Sequence, residues 1–225
     1  MCAIIGGCMA LQKRLDAVSR RLESQLPREI IAVMDTVATQ LRLADVQGKA
    51  ARQGAYAPMF SMRDMLGNVI NPVDRLLQGP VLISFFRGKW CRYCIEELLE
   101  LNALAAQVRQ AGGSIIAVTP QLPRFNRAMA YECSLGFDVL TDTGCRMASA
   151  MGLAYQVPPA VKNLFVHFGI DLARYNGASG WHLPVTSRYV VGTDGRIACA
   201  HIDLDYSRRT PPEETLGVLR SLGAA

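Results

Sequence analysis

The length, composition and charge of the chain exclude several classes of protein. Its 225 residues suffice for one main domain with an appendage, and with 50% apolar residues it can form a real core. The net charge of +5 is spread without a dense Lys/Arg block, which argues against nucleic-acid binding. No apolar run reaches the ~18 residues of a membrane helix, and the short apolar segment Met1–Met9 lacks the cationic start of a signal peptide. We therefore expect a cytoplasmic protein without a membrane partner, whose natural start is Met1 or Met9.

The cysteine content favours a reducing compartment. There are seven cysteines, at positions 2, 8, 91, 94, 133, 145 and 199. An odd number in a chain of this length is not typical of a secreted disulfide framework. The spacing instead indicates one special pair, Cys91 and Cys94, among several unremarkable thiols.

Two helices are predicted at the start of the chain. Apolar residues recur at helical spacing within residues 10–46, and Pro27 separates the two stripes. We assign residues 1–50 to this helical extension and 51–225 to the main domain. The apolar faces of these helices must be buried, either against the main domain or against a second subunit. A homodimer is therefore one of the expectations.

Strands and helices alternate through the main domain, which is typical of an α/β fold with a mixed central sheet flanked by helices. Residues 153–183 interrupt the alternation and are read as an insertion with a helical patch at 160–173 and a Gly-rich turn at 176–180. Long insertions in compact domains are often lids. The predicted elements are strands at 57–62 and 68–70, a buried strand at 81–86, a helix at 94–111, a strand at 114–118, a helix at 124–134, a strand at 137–141, a helix at 144–151, a hairpin of 189–191 with 197–201, and a helix at 211–222.

The chain is organised around the junction between the buried strand at 81–86 and the helix that follows it. Cys91 and Cys94 lie where the helix begins, so the free backbone N–H groups and the helix dipole favour a thiolate there. Three cations, Arg87, Lys89 and Arg92, lie within six residues. Two glutamates, at 96 and 97, oppose them, but first-turn glutamates are expected to point to solvent.

The spacing of the two cysteines favours a redox pair over a metal site. Cysteines three residues apart at a helix start approach closely enough for a disulfide. Zinc requires about four ligands, and the sequence offers no second Cys-x-x-Cys and only three scattered histidines. Neither a metal nor another cofactor is therefore expected.

The segment Phe85–Cys94, together with Trp181–Val185 and the turn at Asp194–Ile197, resembles the peroxiredoxin-like branch of the alkyl hydroperoxide reductase/thiol-specific antioxidant (AhpC/TSA) family. The resemblance covers about residues 55–222 and implies a thioredoxin-like fold. It also implies an antioxidant enzyme that reduces hydroperoxides and is restored by a thioredoxin- or glutathione-type reductant.

The peroxiredoxin motif Pro-x-x-x-Thr-x-x-Cys places the peroxide-attacking cysteine at Cys94, the threonine at Cys91 and the proline at Arg87. The arginine that steadies the thiolate in that family falls on Thr186, with Arg188 two residues away on the same strand face. The thioredoxin pattern instead makes Cys91 the nucleophile, and places a cis-proline near Thr186.

Three hypotheses remain. In the first, Cys94 attacks a hydroperoxide and Cys91 condenses with it to a disulfide, while Arg92 and Arg188 stabilise the thiolate and the leaving oxygen. In the second, Cys91 attacks a disulfide substrate and Cys94 resolves. In the third, the dithiol is the switch of a redox-sensing interaction module. Trp90 either shields the site or anchors the turn in the core, and tryptophan is mostly buried.

Overall fold

The structure, a computed structural model, describes residues 5–177 and 180–223, with side chains from residue 11 onward. Residues 1–4, which include Cys2 and the alternative start Met1, lie outside the described residues. So do residues 178–179 of the predicted Gly-rich turn, and residues 224–225. No helix in the described ranges combines the length and the apolar character needed to cross a membrane.

A seven-stranded mixed sheet forms the centre of the main domain, with the order β2-β1-β5-β4-β3-β8-β9. The strands β3, β4 and β5 are parallel, whereas β8 and β9 are antiparallel to their neighbours. The strand bounds are β1 Met62–Arg63, β2 Val69–Ile70, β3 Val81–Phe85, β4 Ser114–Thr119, β5 Asp138–Thr141, β6 Ala154–Gln156, β7 His182–Pro184, β8 Ser187–Val191 and β9 Ile197–Ile202.

Helices pack on the sheet and confirm the predicted α/β class. The helix bounds are α1 Ile5–Gln25, α2 Arg28–Leu43, α3 Val46–Lys49, α4 Pro72–Leu76, α5 Arg92–Gln110, α6 Pro123–Glu132, α7 Arg146–Ala150, α8 Pro159–His167, α9 Leu172–Asn176 and α10 Pro212–Gly223, with a 3-10 turn at Thr143–Cys145. The central strand β3 is buried at every position, as its unbroken apolar sequence predicts for a strand covered on both faces. Since β3 and α5 are joined by one short turn, this central strand fixes the start of α5.

The N-terminal helices bury their apolar stripes within the same chain. Leu11 and Leu15 of α1 are fully buried, and they belong to one apolar cluster with Phe86 and Leu98. Arg14 adds ion pairs with two glutamates of α5, at positions 96 and 100. Of the two packing partners predicted for this extension, α1 therefore packs against the main domain of its own chain.

Several predicted boundaries differ from those observed. Most of the strand predicted at 57–62 is irregular, and only Met62 lies in β1. Pro58 lacks a backbone N–H, so it cannot donate to a sheet. The short helix α4 was not predicted, although its start has clear signals: the Asn71 side chain accepts a hydrogen bond from the N–H of Val73, and Pro72 occupies the first turn.

The insertion at 153–183 has its own secondary structure and packs into the core. Its two strands, β6 and β7, pair with each other in an antiparallel ladder. The predicted helical patch is two helices, α8 and α9, because the chain turns at Gly169, which has a φ of 74°. Apolar side chains of this segment, among them Leu153, Val161 and Phe165, are buried in the main core. The segment therefore contributes to the core of the main domain.

Truncation of a buried α1 side chain tests whether the extension packs on its own domain in solution. Leu15 is 0% exposed and Leu43, on α2, is 82% exposed. Leu15→Ala should lower the free energy of unfolding by about 2–5 kcal/mol, because it leaves a cavity between α1 and α5. The matched Leu43→Ala should change it by less than about 0.5 kcal/mol. Urea unfolding measures both, and equal effects would show that α1 does not pack as described.

Candidate active site

The turn between β3 and α5 has one conformation that the neighbouring residues enforce. Gly88 has a φ of 145°, and a Cβ atom there would lie 2.7 Å from Nε1 of Trp90, so a larger residue does not fit. The backbone N–H of Lys89 donates to Oε1 of Gln121 at 3.0 Å. Gln121 in turn donates to buried Asn126 at 2.7 Å. This network fixes the turn, and with it the start of α5.

Cys91 occupies the N-cap of α5, and its sulfur accepts three hydrogen bonds. The donors are Nη2 of Arg87 at 3.0 Å, the thiol of Cys94 at 2.8 Å and the backbone N–H of Cys94 at 3.4 Å. An atom that accepts from a guanidinium, a thiol and a helix N-terminus is stabilised as an anion. The geometry therefore describes a dithiol in which Cys91 carries the negative charge and Cys94 keeps its proton.

The pKa values of the two thiols are driven apart. Burial raises the pKa of Cys91, but the hydrogen bond from Cys94 and the charges of Arg87 and Arg209 outweigh it and bring that pKa well below its ordinary value. Burial, the hydrogen bond to Cys91 and the negative charge of Cys91 together raise the pKa of Cys94 well above its ordinary value. The surroundings of the two sulfurs therefore favour a thiolate on Cys91 over a thiolate on Cys94.

The dithiol is almost completely shielded from solvent. Cys91 is 3% exposed and Cys94 is 0% exposed. Both belong to the apolar cluster of α1 and α5, which also contains Tyr93. Tyr93 is tied to α1 by a hydrogen bond of 3.1 Å between its hydroxyl and that of Ser19. The N-terminal extension therefore forms part of the wall of the site.

A buried group of charges lies behind the dithiol. Glu97, one turn after Cys94 on α5, is 1% exposed. Its Oε1 lies 3.3 Å from Nε of Arg188, and its Oε2 accepts a hydrogen bond from Nε of Arg209. The carboxylate is thus compensated by two arginines, as a buried charge must be. The expectation that the glutamate at 97 faces solvent is wrong, because its partners come from β8 and from the segment before α10.

The predicted cations divide into those that face the sulfurs and those that do not. Arg87 is buried, contacts Cys91 directly, and lies 5.4 Å from the ring centre of Trp90. Lys89 points away and pairs with Glu132 at 3.1 Å. Arg92 is exposed and has no hydrogen bond or ion pair within the described part of the chain. The assignment of Arg92 to the thiolate is therefore not supported by the geometry.

The other predicted residues have defined positions around the site. Thr186 is buried, and its hydroxyl donates to the backbone oxygen of Asp203 at 3.3 Å. Arg188 is fully buried; it pairs with Glu97 and donates a hydrogen bond to the backbone oxygen of Thr210. Neither makes a hydrogen bond to a cysteine sulfur, and all peptide bonds of the described residues are trans. Trp90 is half-buried and packs edge-on against Phe165 of α8, with ring centres 5.1 Å apart, so it anchors the turn to the insertion.

Arg209 was not among the predicted site residues. It is buried, it pairs with Glu97 one turn after Cys94, and its charge lowers the pKa values of both cysteines against burial. No local pattern marks it, because it is 112 residues from its partner Glu97 in the sequence.

The remaining described cysteines are less suited to reaction. Cys145 is buried, and burial together with Asp142 raises its pKa to about 12. Cys133 is half-buried at the end of α6, and burial raises its pKa also. Cys199 lies on the edge strand β9, 3.0 Å from Nε2 of His201, and packs half-buried against the apolar cluster of α5 and α10. Across the side chains described, no three His, Cys, Asp or Glu residues form a group that could hold a metal ion.

Comparison with known proteins decides the family. The sequence pattern of the AhpC/TSA family matches residues 53–200 of this chain. The chain belongs to the AhpC/TSA family. No curated protein matches the chain. The match leaves the N-terminal helices outside the family region, and it includes the dithiol, Thr186 and Arg188.

Solved structures confirm the fold of this AhpC/TSA family member. Peroxidoxin BcpB from Mycobacterium tuberculosis superposes with a TM-score of 0.60 at 17% identity, over 76% of this chain and 98% of that one. Peroxiredoxin 6 of Arenicola marina superposes with a TM-score of 0.60 at 14% identity, over 76% of this chain and 72% of that one. AhpC of Enterococcus faecalis superposes with a TM-score of 0.58 at 15% identity, over 76% of this chain and 92% of that one. At these identities the likeness shows the thioredoxin-like peroxiredoxin fold.

Substitution of the two arginines beside the dithiol tests which one lowers the pKa of Cys91. Arg87→Gln should raise that pKa by about 1–3 units, because it removes a buried cation and a hydrogen bond to the sulfur. Arg92→Gln should leave it nearly unchanged, since Arg92 is exposed. The ultraviolet absorbance of the thiolate, followed against pH, gives both values. A larger shift in Arg92→Gln than in Arg87→Gln would contradict the assignment.

Proposed function

We propose that this AhpC/TSA family member is a thiol-dependent peroxidase that reduces hydroperoxides through a Cys91–Cys94 dithiol/disulfide cycle. One observation carries the proposal: Arg87 and Cys94 both donate hydrogen bonds to the Cys91 sulfur inside a buried site. A preformed thiolate beside a protonated thiol is the arrangement that two-step peroxide reduction requires. The family match and the peroxiredoxin fold support the same class of chemistry.

The cycle has three balanced steps. The Cys91 thiolate attacks the terminal oxygen of ROOH, the O–O bond breaks, and the products are a sulfenic acid on Cys91 and RO⁻, which takes up a proton to give ROH. The Cys94 thiol then attacks the Cys91 sulfur, an S–S bond forms, and water leaves with the sulfenic oxygen and the thiol proton. Two equivalents of an external thiol reduce the disulfide to the dithiol and become a disulfide themselves.

We assign the first attack to Cys91, whereas the peroxiredoxin alignment assigns it to Cys94. The support is electrostatic: Arg87 donates to the sulfur of Cys91, and Cys94 keeps its proton as long as Cys91 is charged. Position 87, where the family motif has a proline, is occupied by Arg87 in this chain. Arg87 supplies the cation next to the sulfur of Cys91. Arg87 is well placed to stabilise the leaving RO⁻ as well.

A disulfide reductase is the second candidate. The nucleophilic first cysteine of a Cys-x-x-Cys pair at a helix start, with a lowered pKa, is the arrangement of thiol–disulfide exchange. The burial of the pair argues against a large substrate, because a protein disulfide must reach the sulfur of a residue that is only 3% exposed. A small hydroperoxide needs far less space, so we place peroxide reduction first.

The reductant and the setting are also part of this proposal. A thioredoxin- or glutathione-type thiol would close the cycle; one structural neighbour, a yeast mitochondrial 1-Cys peroxiredoxin, has a resolving mechanism described as using the glutathione/thioredoxin systems. We place the protein in a reducing, cytoplasmic compartment. The five cysteines with described side chains are all free. A homodimer is a further proposal.

Separate serine variants of the two cysteines test the proposed order of attack. After addition of stoichiometric hydroperoxide, Cys94→Ser should consume one equivalent and trap a dimedone adduct on Cys91, because the first step needs only the Cys91 thiolate. Cys91→Ser should consume peroxide no faster than a free thiol does. Peroxide loss and mass-spectrometric mapping of the adduct are the two measurements.

The matched control is Cys133→Ser, which removes a half-buried thiol outside the dithiol and should behave like the wild type. Rapid consumption by Cys91→Ser with the adduct on Cys94 would reverse the two roles. If the wild type consumes peroxide no faster than a free thiol but reduces insulin in a manner that requires Cys91, the disulfide reductase is the function. A dithiol that cycles slowly in both assays would favour the redox-sensing module, which a pull-down in the oxidised and reduced states would test.

A further inference from the structure

A second thiol, outside the dithiol, is in direct contact with a histidine. The sulfur of Cys199 lies 3.0 Å from Nε2 of His201, which is hydrogen-bond distance. Both residues lie on β9, two positions apart, so their side chains project from the same face of the strand. A thiol and an imidazole at this distance have the geometry of a nucleophile and its base.

The pairing of β9 with β8 determines the surroundings of these two side chains. Cys199 is opposite Val190, and His201 is opposite Arg188. Cys199 packs against the apolar cluster of α5 and α10, to which Val190 and Leu216 belong. The dithiol belongs to a different apolar cluster. The cysteine–histidine pair is therefore a separate site on the face of the sheet that α10 covers.

The environment of the pair determines which atom holds the proton. Burial raises the pKa of Cys199 and lowers the pKa of His201. The charged groups that face the pair, Arg188 on β8 and Glu214 on α10, shift each pKa in opposite directions. At neutral pH the thiol is thus protonated and the imidazole is neutral, so the S–H donates to Nε2. The imidazole can then accept this proton when the sulfur attacks.

The pair is also accessible to small molecules. Both residues are half-buried, whereas the dithiol is almost completely shielded. Strand β9 is the last strand of the sheet. Along its outer edge, the backbone N–H of Ile197 donates to the oxygen of Ala55, and no such bond covers Cys199 or His201 among the described residues. A small reactant can therefore approach the sulfur from the edge of the sheet.

We propose that Cys199 is a second redox-active thiol, which forms a mixed disulfide with small organic disulfides, and that His201 is its general base. This reaction is independent of the proposed peroxidase cycle. It gives the protein a site of reversible thiol modification on an edge strand, in addition to the buried dithiol.

The proposed reaction is one thiol–disulfide exchange. The sulfur of Cys199 attacks one sulfur of a disulfide RSSR while its proton passes to Nε2 of His201. A new S–S bond joins Cys199 to the RS group, the S–S bond of RSSR breaks, and the leaving thiolate takes the proton from the imidazolium to give RSH. The cysteine is oxidised and the disulfide is reduced. Attack of another thiol on the mixed disulfide reverses the modification.

Cys133 provides a matched comparison within the same chain. It is half-buried like Cys199, and burial raises its pKa in the same direction. No described side chain forms a hydrogen bond with the sulfur of Cys133, whereas His201 contacts that of Cys199. A difference in reactivity between the two thiols therefore reports on the histidine.

The test uses the Cys91→Ser/Cys94→Ser variant, which lacks the dithiol, and bis(2-hydroxyethyl) disulfide as the probe. Mass spectrometry of quenched samples gives the rate constant of mixed-disulfide formation at each cysteine. Cys199 should react at least about tenfold faster than Cys133, because a positioned general base contributes typically about 10²- to 10⁴-fold. His201→Gln should lower the rate constant of Cys199 by about tenfold or more and leave that of Cys133 unchanged.

A second variant separates a base from a histidine that only supports the strand. His201→Ala should slow the reaction of Cys199, and added imidazole should restore part of the rate, because it replaces the missing base. Circular dichroism checks the fold of both variants. If neither variant folds, the two thiols are compared in urea, where the advantage of Cys199 should disappear because the folded contact is lost.

Equal rate constants at Cys199 and Cys133 in the folded protein would overturn the proposal. So would an unchanged rate constant of Cys199 in folded His201→Gln, a lack of rescue by imidazole in folded His201→Ala, or an advantage of Cys199 that persists in urea. Because the dithiol is absent and no peroxide is added, the result stands whether or not the wild type proves to be a peroxidase.

Discussion

The hydrogen bond from the Arg87 guanidinium to the Cys91 sulfur is the interaction on which the rest of the site depends. A thiolate in a site that is 3% exposed loses nearly all of its hydration. That loss must be compensated by charged hydrogen bonds and the helix N-terminus, or the sulfur stays protonated. Arg87, the thiol of Cys94 and the N–H of Cys94 supply the compensation. Without Arg87, the same burial would raise the pKa of Cys91 towards that of an ordinary thiol.

Burial also limits which reactants can reach the thiolate. The walls of the site are α1, α5, the turn held by Gln121, and the contact between Trp90 and Phe165 of the insertion. Two segments that do not belong to the central sheet thus enclose the dithiol. They are the N-terminal extension and the insertion at 153–183. Their common effect is to exclude water and large reactants, which increases the strength of every charge–charge interaction inside.

Much of the fold could be predicted from local sequence patterns. The apolar runs at 81–86 and 114–118 became β3 and β4, and the dithiol lies at the start of α5 as the strand–turn–helix pattern indicates. These features depend on residues close together in the chain. The charges behind the site could not be predicted, because Glu97 and Arg209 are far apart in sequence and meet only through the packing of α5 on the segment before α10. Helical periodicity places Glu97 on a face of α5, but only the tertiary contacts show that this face is covered.

In the proposed site, the reduced protein holds a thiolate on Cys91 and a protonated thiol on Cys94. The most direct measurement is the pH titration of the two Cβ resonances by NMR, in wild-type protein labelled with 13C at the cysteine Cβ and kept reduced. Cys91 should titrate well below the ~8.5 of a free thiol, and Cys94 should stay protonated beyond that value. A low pKa at Cys94 with a protonated Cys91 at neutral pH would contradict this assignment of the two charges.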